Sequence, residues 1–258
     1  MQPPAPPPGT GPPSHPPVPS VDDARGLQLL VTVLSVVAGS ADVISFLGLG
    51  GLFVAHITGN LAILAAHLVT GTPGNVALLL SVPVFILMLA LTRLLVAGLD
   101  AAGLATLRPL LFLQLLLLAG FLALAVAAGP HPDPNAAGAI GAGMLGVAAM
   151  AVQNALVQLS LRGAPPTAVM TSNLTRFAMD VGEVLLGRDR AEVTQARRRA
   201  ARTWPAIIGF AAGAAGGAAC YAAVGLVSLA LPAGLALLAL ALSLGHRRDR
   251  RQPAGKPA

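Results

Sequence analysis

Charge is scarce in this chain. Asp, Glu, Lys and Arg make up 10% of its 258 residues, where soluble domains carry about 25%. With 55% hydrophobic residues and a mean hydropathy of +0.76, that shortage excludes an ordinary soluble domain and points to the membrane class. Aromatic residues are scarce too, at 3%. No stacking platform stands beside the basic stretches, so nucleic acid is not an expected partner. The single cysteine, Cys220, excludes an intrachain disulfide and a cysteine-rich metal site. G-x-S-x-G, H-E-x-x-H, a Walker loop and a strand-linked G-x-G-x-x-G are all missing. We therefore expect no enzyme, no catalytic residues, no cofactor and no bound metal.

What the chain does have is long apolar runs. Residues 1–26 are Pro-rich and read as a disordered tail with polyproline II character; a PxxP ligand is the lesser reading. The run 27–47 is longer than the ~7–15 residues of a signal-peptide core, and Asp22 and Asp23 oppose Arg25, so it reads as a retained helix. Further spans are expected at 75–97, 109–128, 136–161, 205–221 and 226–244, each near the ~20 residues that cross ~30 Å of hydrocarbon. Two segments, 53–69 and 167–186, are shorter or more polar and either cross or dip in and return. The fold class is an all-α integral membrane protein, followed by a basic tail at 246–258. Pro83 and Pro232 are expected to kink their helices. Gly209, Gly213 and Gly217 form a small-residue stripe, expected to meet a like stripe at Gly138, Ala142 and Gly146.

Basic residues collect in cytoplasmic loops. If both ambiguous segments are re-entrant, six spans place all 16 Lys and Arg on one side, with both termini cytoplasmic. Eight spans is the alternative, and would put Arg93, Arg108 and Arg162 at outer ends. The six-span reading exposes an internal repeat, with units at about 27–128 and 136–244. Thr58-Gly59-Asn60-Leu61 matches Thr171-Ser172-Asn173-Leu174. Six spans invert the second unit relative to the first, an arrangement familiar from secondary transporters.

Polar groups within apolar runs mark candidate sites, because they are costly in hydrocarbon. Asp42 leads: it reads as a proton or cation site, or as a structural acid bonded to backbone. Thr58, Asn60, Thr171 and Asn173 either present oxygens to a ligand or cap broken helices. His56 suits a polar lining better than a metal site. Asn154 sits seventeen residues before Thr171, much as Asp42 sits sixteen before Thr58. The repeat therefore predicts that Asp42 and Asn154 approach each other near a pseudo-two-fold axis. Arg176, Asp180 and Glu183 fit an ion-paired helix face. The arginine-rich stretch 188–202 reads as a loop, a topology signal that can touch anionic lipid.

At G-S-A-D-V-I-S-F-L, G-G-L-F-V-A-H-I-T-G-N-L, V-Q-N-A-L and V-M-T-S-N-L-T the chain resembles the YoaK-type family of bacterial membrane proteins, long carried as a domain of unknown function. The resemblance covers roughly residues 27–245, with Ser172 where many members are expected to have glycine. It implies a polytopic inner-membrane protein and supplies no substrate. Two functions are weighed on the residues: a secondary permease for a small unknown solute, with proton coupling through Asp42, and a non-transporting structural or interaction protein in the bilayer. A polar cavity joining Asp42, Asn60, Asn154 and Asn173 would favour the first; sealing of those groups into helix contacts would favour the second. Oligomeric state is left open.

Overall fold

Long apolar runs can bury their backbone polarity in hydrocarbon only as helices or closed barrels. Here they form helices. A computed structural model describes residues 21–72, 74–161 and 163–249, without the side chains of 21–24 and 245–249. Its elements are α1 (Val21–Gly48), α2 (Ile57–Thr70), α3 (Val76–Ala101), α4 (Leu107–Ala127), α5 (Ala137–Ser160), α6 (Met170–Leu186), α7 (Arg190–Val224), a 3-10 segment (Gly225–Leu229) and α8 (Ala230–Asp249). Among the described residues there is no strand. Five helical stretches are long and apolar enough to cross a membrane: Arg25–Gly48, Val76–Ala101, Leu107–Ala127, Ala137–Ser160 and the 55-residue run Arg190–Leu244.

Several expected boundaries move. The first helix begins at Val21, inside the stretch read as tail, and α8 runs on to Asp249, past the expected start of the basic tail. The rest of both tails, including the PxxP segment, lies outside the described residues. The arginine-rich stretch is mostly helix rather than loop. Asp189 caps α7 by accepting from Ala191 N at 2.8 Å, and the 35-residue helix is about 52 Å long. That exceeds the hydrocarbon thickness, so one end of α7 projects beyond it. Pro232 lies in the first turn of α8, where a missing N–H costs nothing, so it does not break the helix interior.

Hydrogen bonds between distant residues fix which helix ends lie together. At one end Asn75 Nδ2 donates to the carbonyls of Leu49 (3.1 Å) and Gly50 (3.0 Å). There too Val76 N donates to Asn135 Oδ1, and Tyr221 OH donates to Leu47 O. At the other end Gln28 Nε2 donates to Ala201 O, Thr106 pairs with Ser160, and an Arg108 N–H donates to Ser243 O. Thus α1 and α7 run parallel, as do α3 and α5, and α8 folds back beside α1. Gly225, with φ 61°, supplies the left-handed residue at that reversal.

The packing pairs treat the halves alike. Helix α1 packs on α7 and α8, α5 packs on α3 and α4, α2 on α3, α6 on α7, α4 on α8, and α1 touches α5. Exchange α1–α4 for α5–α8, and each of these pairs maps onto another or onto itself. The Gly209–Gly213–Gly217 stripe faces α1, not α5. A Cβ at Gly209 would meet Thr32 and Ser35, at Gly213 the Val36 backbone, and at Gly217 that of Ser40. Gly39 returns the favour, lying against the Phe210 carbonyl. The expected meeting of the two stripes is therefore overturned. Gly143 and Gly146 of α5 instead accommodate Leu52 and Val54, so that small faces admit the connection between α1 and α2.

Candidate functional site

The α1–α2 connection leaves helix at Gly50 and Gly51, whose φ values of 64° and 81° are left-handed and so favour glycine. Residues 49–56 then run back along the bundle. Their start lies beside Asn75 at the helix ends, whereas Ala55 and His56 reach Asp42, six residues up α1 from Gly48. Helix α2 returns beside α3 toward the end it came from. This is a hairpin that enters and leaves on one side. The α5–α6 connection does the same from the opposite end. It starts at Ser160 beside Thr106, and Thr167 reaches Gln153, seven residues up α5.

Asp42 sits at the tip of the first hairpin. Its side chain is 3% exposed. Oδ1 accepts from Ala55 N at 2.7 Å and His56 N at 3.3 Å, and Oδ2 lies 2.6 Å from His56 Nδ1. The buried carboxyl thus has hydrogen-bond partners on both oxygens, as a polar group at this depth requires. The His56 side chain is 39% exposed and lies edge-on to the rings of Phe53 and Phe210. The sequence reading placed both residues at a polar site but did not join them. Fourteen residues separate them, and only the unwound turn brings them together.

Asn60 and Asn173 do related work in the two hairpins. Asn60 clasps the residue seven before it: Nδ2 donates to Phe53 O at 2.7 Å and Oδ1 accepts from Phe53 N at 2.9 Å. Its Nδ2 also reaches Ser81 Oγ at 3.0 Å. Asn173 likewise donates to the carbonyl seven before it, Pro166 O, at 2.6 Å. Thr58 and Thr171 are exposed, and neither α2 nor α6 has a side-chain hydrogen bond at its start. The threonines therefore do not cap these helices; the asparagines hold the breaks. A Cβ at Gly59 would come within 3.1 Å of the Phe53 ring. The second hairpin has Pro166 where the first has Phe53, and carries an exposed Ser172 at the matching place.

The expected approach of Asp42 and Asn154 does not occur. Asn154 is partly exposed and donates to Met150 O on its own helix at 2.9 Å. Its neighbour Gln153 is the buried hub. Gln153 Nε2 donates to Leu34 O and Thr167 Oγ1, both at 2.8 Å, and its Oε1 accepts from Gln114 Nε2 at 2.7 Å. Because Gln153 lies beside Leu34, eight residues before Asp42 on α1, the two polar centres stand about 12 Å apart along the helix. A one-residue difference in how the hairpins are aligned chose the wrong neighbour. Ser81 and Gln114, both fully buried, were also missed. Each is a polar residue within an apolar stretch of its helix, and that is the available signal.

The remaining polar groups are separate. Asp180, largely buried, accepts from Arg199 Nε at 2.7 Å, which ties α6 to α7; the pairing crosses helices rather than joining Arg176 and Asp180 along one face. No group of three or more His, Cys, Asp or Glu side chains gathers among the described residues. A cavity of about 300 Å³ lies between the end of α6 and the start of α7, lined by Arg188, Arg190, Thr194 and Arg197 among others.

No curated protein matches the chain, and no solved structure does. The profile of one family, described as "Protein of unknown function (DUF1275)", matches residues 30–242, which takes in both hairpins, the Asp42–His56 pair and the Gln153 hub. That is most of the 258 residues, and the chain belongs to this family.

Proposed function

We propose that the protein is a multi-pass permease of the bacterial inner membrane, moving a small solute with a proton carried at Asp42–His56. The observation that supports this most is the place of that pair. It sits at the tip of a hairpin that dips into the bundle, with the acid buried and its histidine partner still in contact with the outside. An ionisable pair at such depth is a functional candidate by default. The mirrored hairpin in the second half adds the frame of an inverted-repeat transporter. In this reading α1, α3, α4, α5, α7 and α8 cross the membrane, and α2 and α6 are re-entrant. The end bearing Arg25, Arg108 and the start of α7 is cytoplasmic, as are both termini. The arginines of 188–202 would there lie on anionic headgroups, each contributing about 1 kcal/mol near the surface.

One observation favours the non-transporting alternative. Asp42, Asn60 and Asn173 are 2%, 0% and 0% exposed and are bonded chiefly to the chain's own backbone, as structural polar residues are. Reconstituted protein decides between the two. Uptake of a panel of small solutes into proteoliposomes under an imposed pH gradient should exceed that of protein-free vesicles for at least one solute. It should rise with the inward proton gradient, and Asp42→Asn should transport with that dependence lost. A panel that never exceeds the vesicle background would support the structural alternative. Unchanged pH dependence in Asp42→Asn would remove the proton from Asp42.

A further inference from the structure

The two hairpins differ by one unspent acceptor. In the first, both halves of the Asn60 amide are used on Phe53, N–H and carbonyl together. In the second, the residue seven before Asn173 is Pro166, which has no N–H to give. Asn173 is fully buried. Its Nδ2 is bonded to Pro166 O, and its Oδ1 has no partner among the described residues. A buried amide oxygen without a donor is costly, and a ligand at the hairpin tip would satisfy it. A second unpartnered buried oxygen, Gln114 Oε1, belongs to the network that ends on this hairpin. Gln114 donates to Gln153, and Gln153 donates to Thr167, next to Pro166.

We propose that the tip of the second hairpin binds one small monovalent cation through neutral oxygens, with Asn173 Oδ1 as the principal ligand. Thr167 Oγ1, Pro166 O and Gln114 Oε1 are the other oxygens of the tip and its network. Unwound backbone and amide oxygens of this kind hold such ions in membrane proteins. The charge state follows from the acids present. Dications of the calcium type are held with carboxylates, and the acid on this face of α6, Asp180, stands two turns beyond Asn173 and is paired with Arg199. The two halves thereby differ in kind: an acid–histidine pair at one tip, a neutral oxygen site at the other. This site does not depend on the permease reading, because binding can be measured without transport.

The test is thermal unfolding of the full chain in detergent, in sodium, potassium or ammonium chloride against N-methylglucamine chloride at equal ionic strength. At least one small cation should raise the melting temperature saturably, by about 3–6 °C. Pro166→Ala restores the N–H that Phe53 supplies in the first hairpin. It should raise the melting temperature in N-methylglucamine chloride and weaken the cation response at least tenfold. Asn173→Asp keeps the shape and adds a charge, and should tighten the cation response at least tenfold. A wild-type protein indifferent to all three cations would overturn the proposal. So would a Pro166→Ala protein with the full response, or an Asn173→Asp protein with an unchanged one.

Discussion

Asp42→Ala should lower the apparent melting temperature of the purified protein by about 6–12 °C, and Asp42→Asn by about 2–4 °C. The alanine variant removes the acceptor of Ala55 N and His56 N together with the partner of the imidazole. Breaking a buried pair costs about 3–5 kcal/mol, and the partial exposure of His56 places this one at the lower end. Asparagine loses less. Its Oδ1 still accepts from the two backbone N–H groups, and its Nδ2 can donate to His56 Nδ1 when the ring carries its proton on Nε2. The fold therefore survives Asp42→Asn, which makes that variant a clean probe of the proton. Thermal unfolding followed by intrinsic fluorescence or by loss of monodispersity measures both. Equal losses in the two variants would mean that charge, and not hydrogen-bond acceptance, holds the hairpin.

Gly213→Ala should destabilise and Gly216→Ala should not, although the residues lie three apart on one helix. A Cβ at Gly213 would overlap the carbonyl of Val36 and come within 2.8 Å of its Cα. Backbone cannot rotate away, so α1 and α7 must separate along the stripe that Gly209 and Gly217 share. Overpacking costs about 1–3 kcal/mol and sometimes more, and close packing through small residues is one of the forces that associate helices in lipid. A Cβ at Gly216 would meet nothing within 4 Å, and alanine favours a helix over glycine by about 0.5–1 kcal/mol. Gly213→Ala should lower the melting temperature by about 4–8 °C, and Gly216→Ala should leave it unchanged or slightly raised. The same scan measures both, and a tolerated alanine at Gly213 would place α1 and α7 further apart than described.

Part of this architecture is legible in the sequence. Span lengths mark the helices, and the matched T-x-N motifs fall at the starts of α2 and α6, since each is written in local composition. Pairing was not legible. The stripe at Gly209–Gly217 says that something comes close and not what. It chose α1, whose Gly39 lets the backbone approach from the other side. The same limit explains the Asp42–His56 contact, which depends on left-handed glycines turning residues 49–56 back along the bundle. It also explains the choice of Gln153 over Asn154, where one residue of slack in the hairpin rotates the neighbour by about 100° around α5. The arginine stretch is helical although its charge reads as a loop, because Asp189 caps α7 just ahead of it.

Sidedness of the first hairpin tests the central claim most directly, because inversion of the halves and the depth of Asp42–His56 both follow from it. In a Cys220→Ala background, single cysteines at Thr72, Asp133 and Thr194 can be challenged with a membrane-impermeant thiol reagent. Thr72 follows α2, Asp133 lies in the α4–α5 connection and Thr194 is exposed on the first turns of α7. The expected result is labelling at Thr72 and Asp133 in intact cells, and at Thr194 only after permeabilisation. Labelling at Thr72 only after permeabilisation would make α2 a crossing helix and contradict the inverted, re-entrant arrangement.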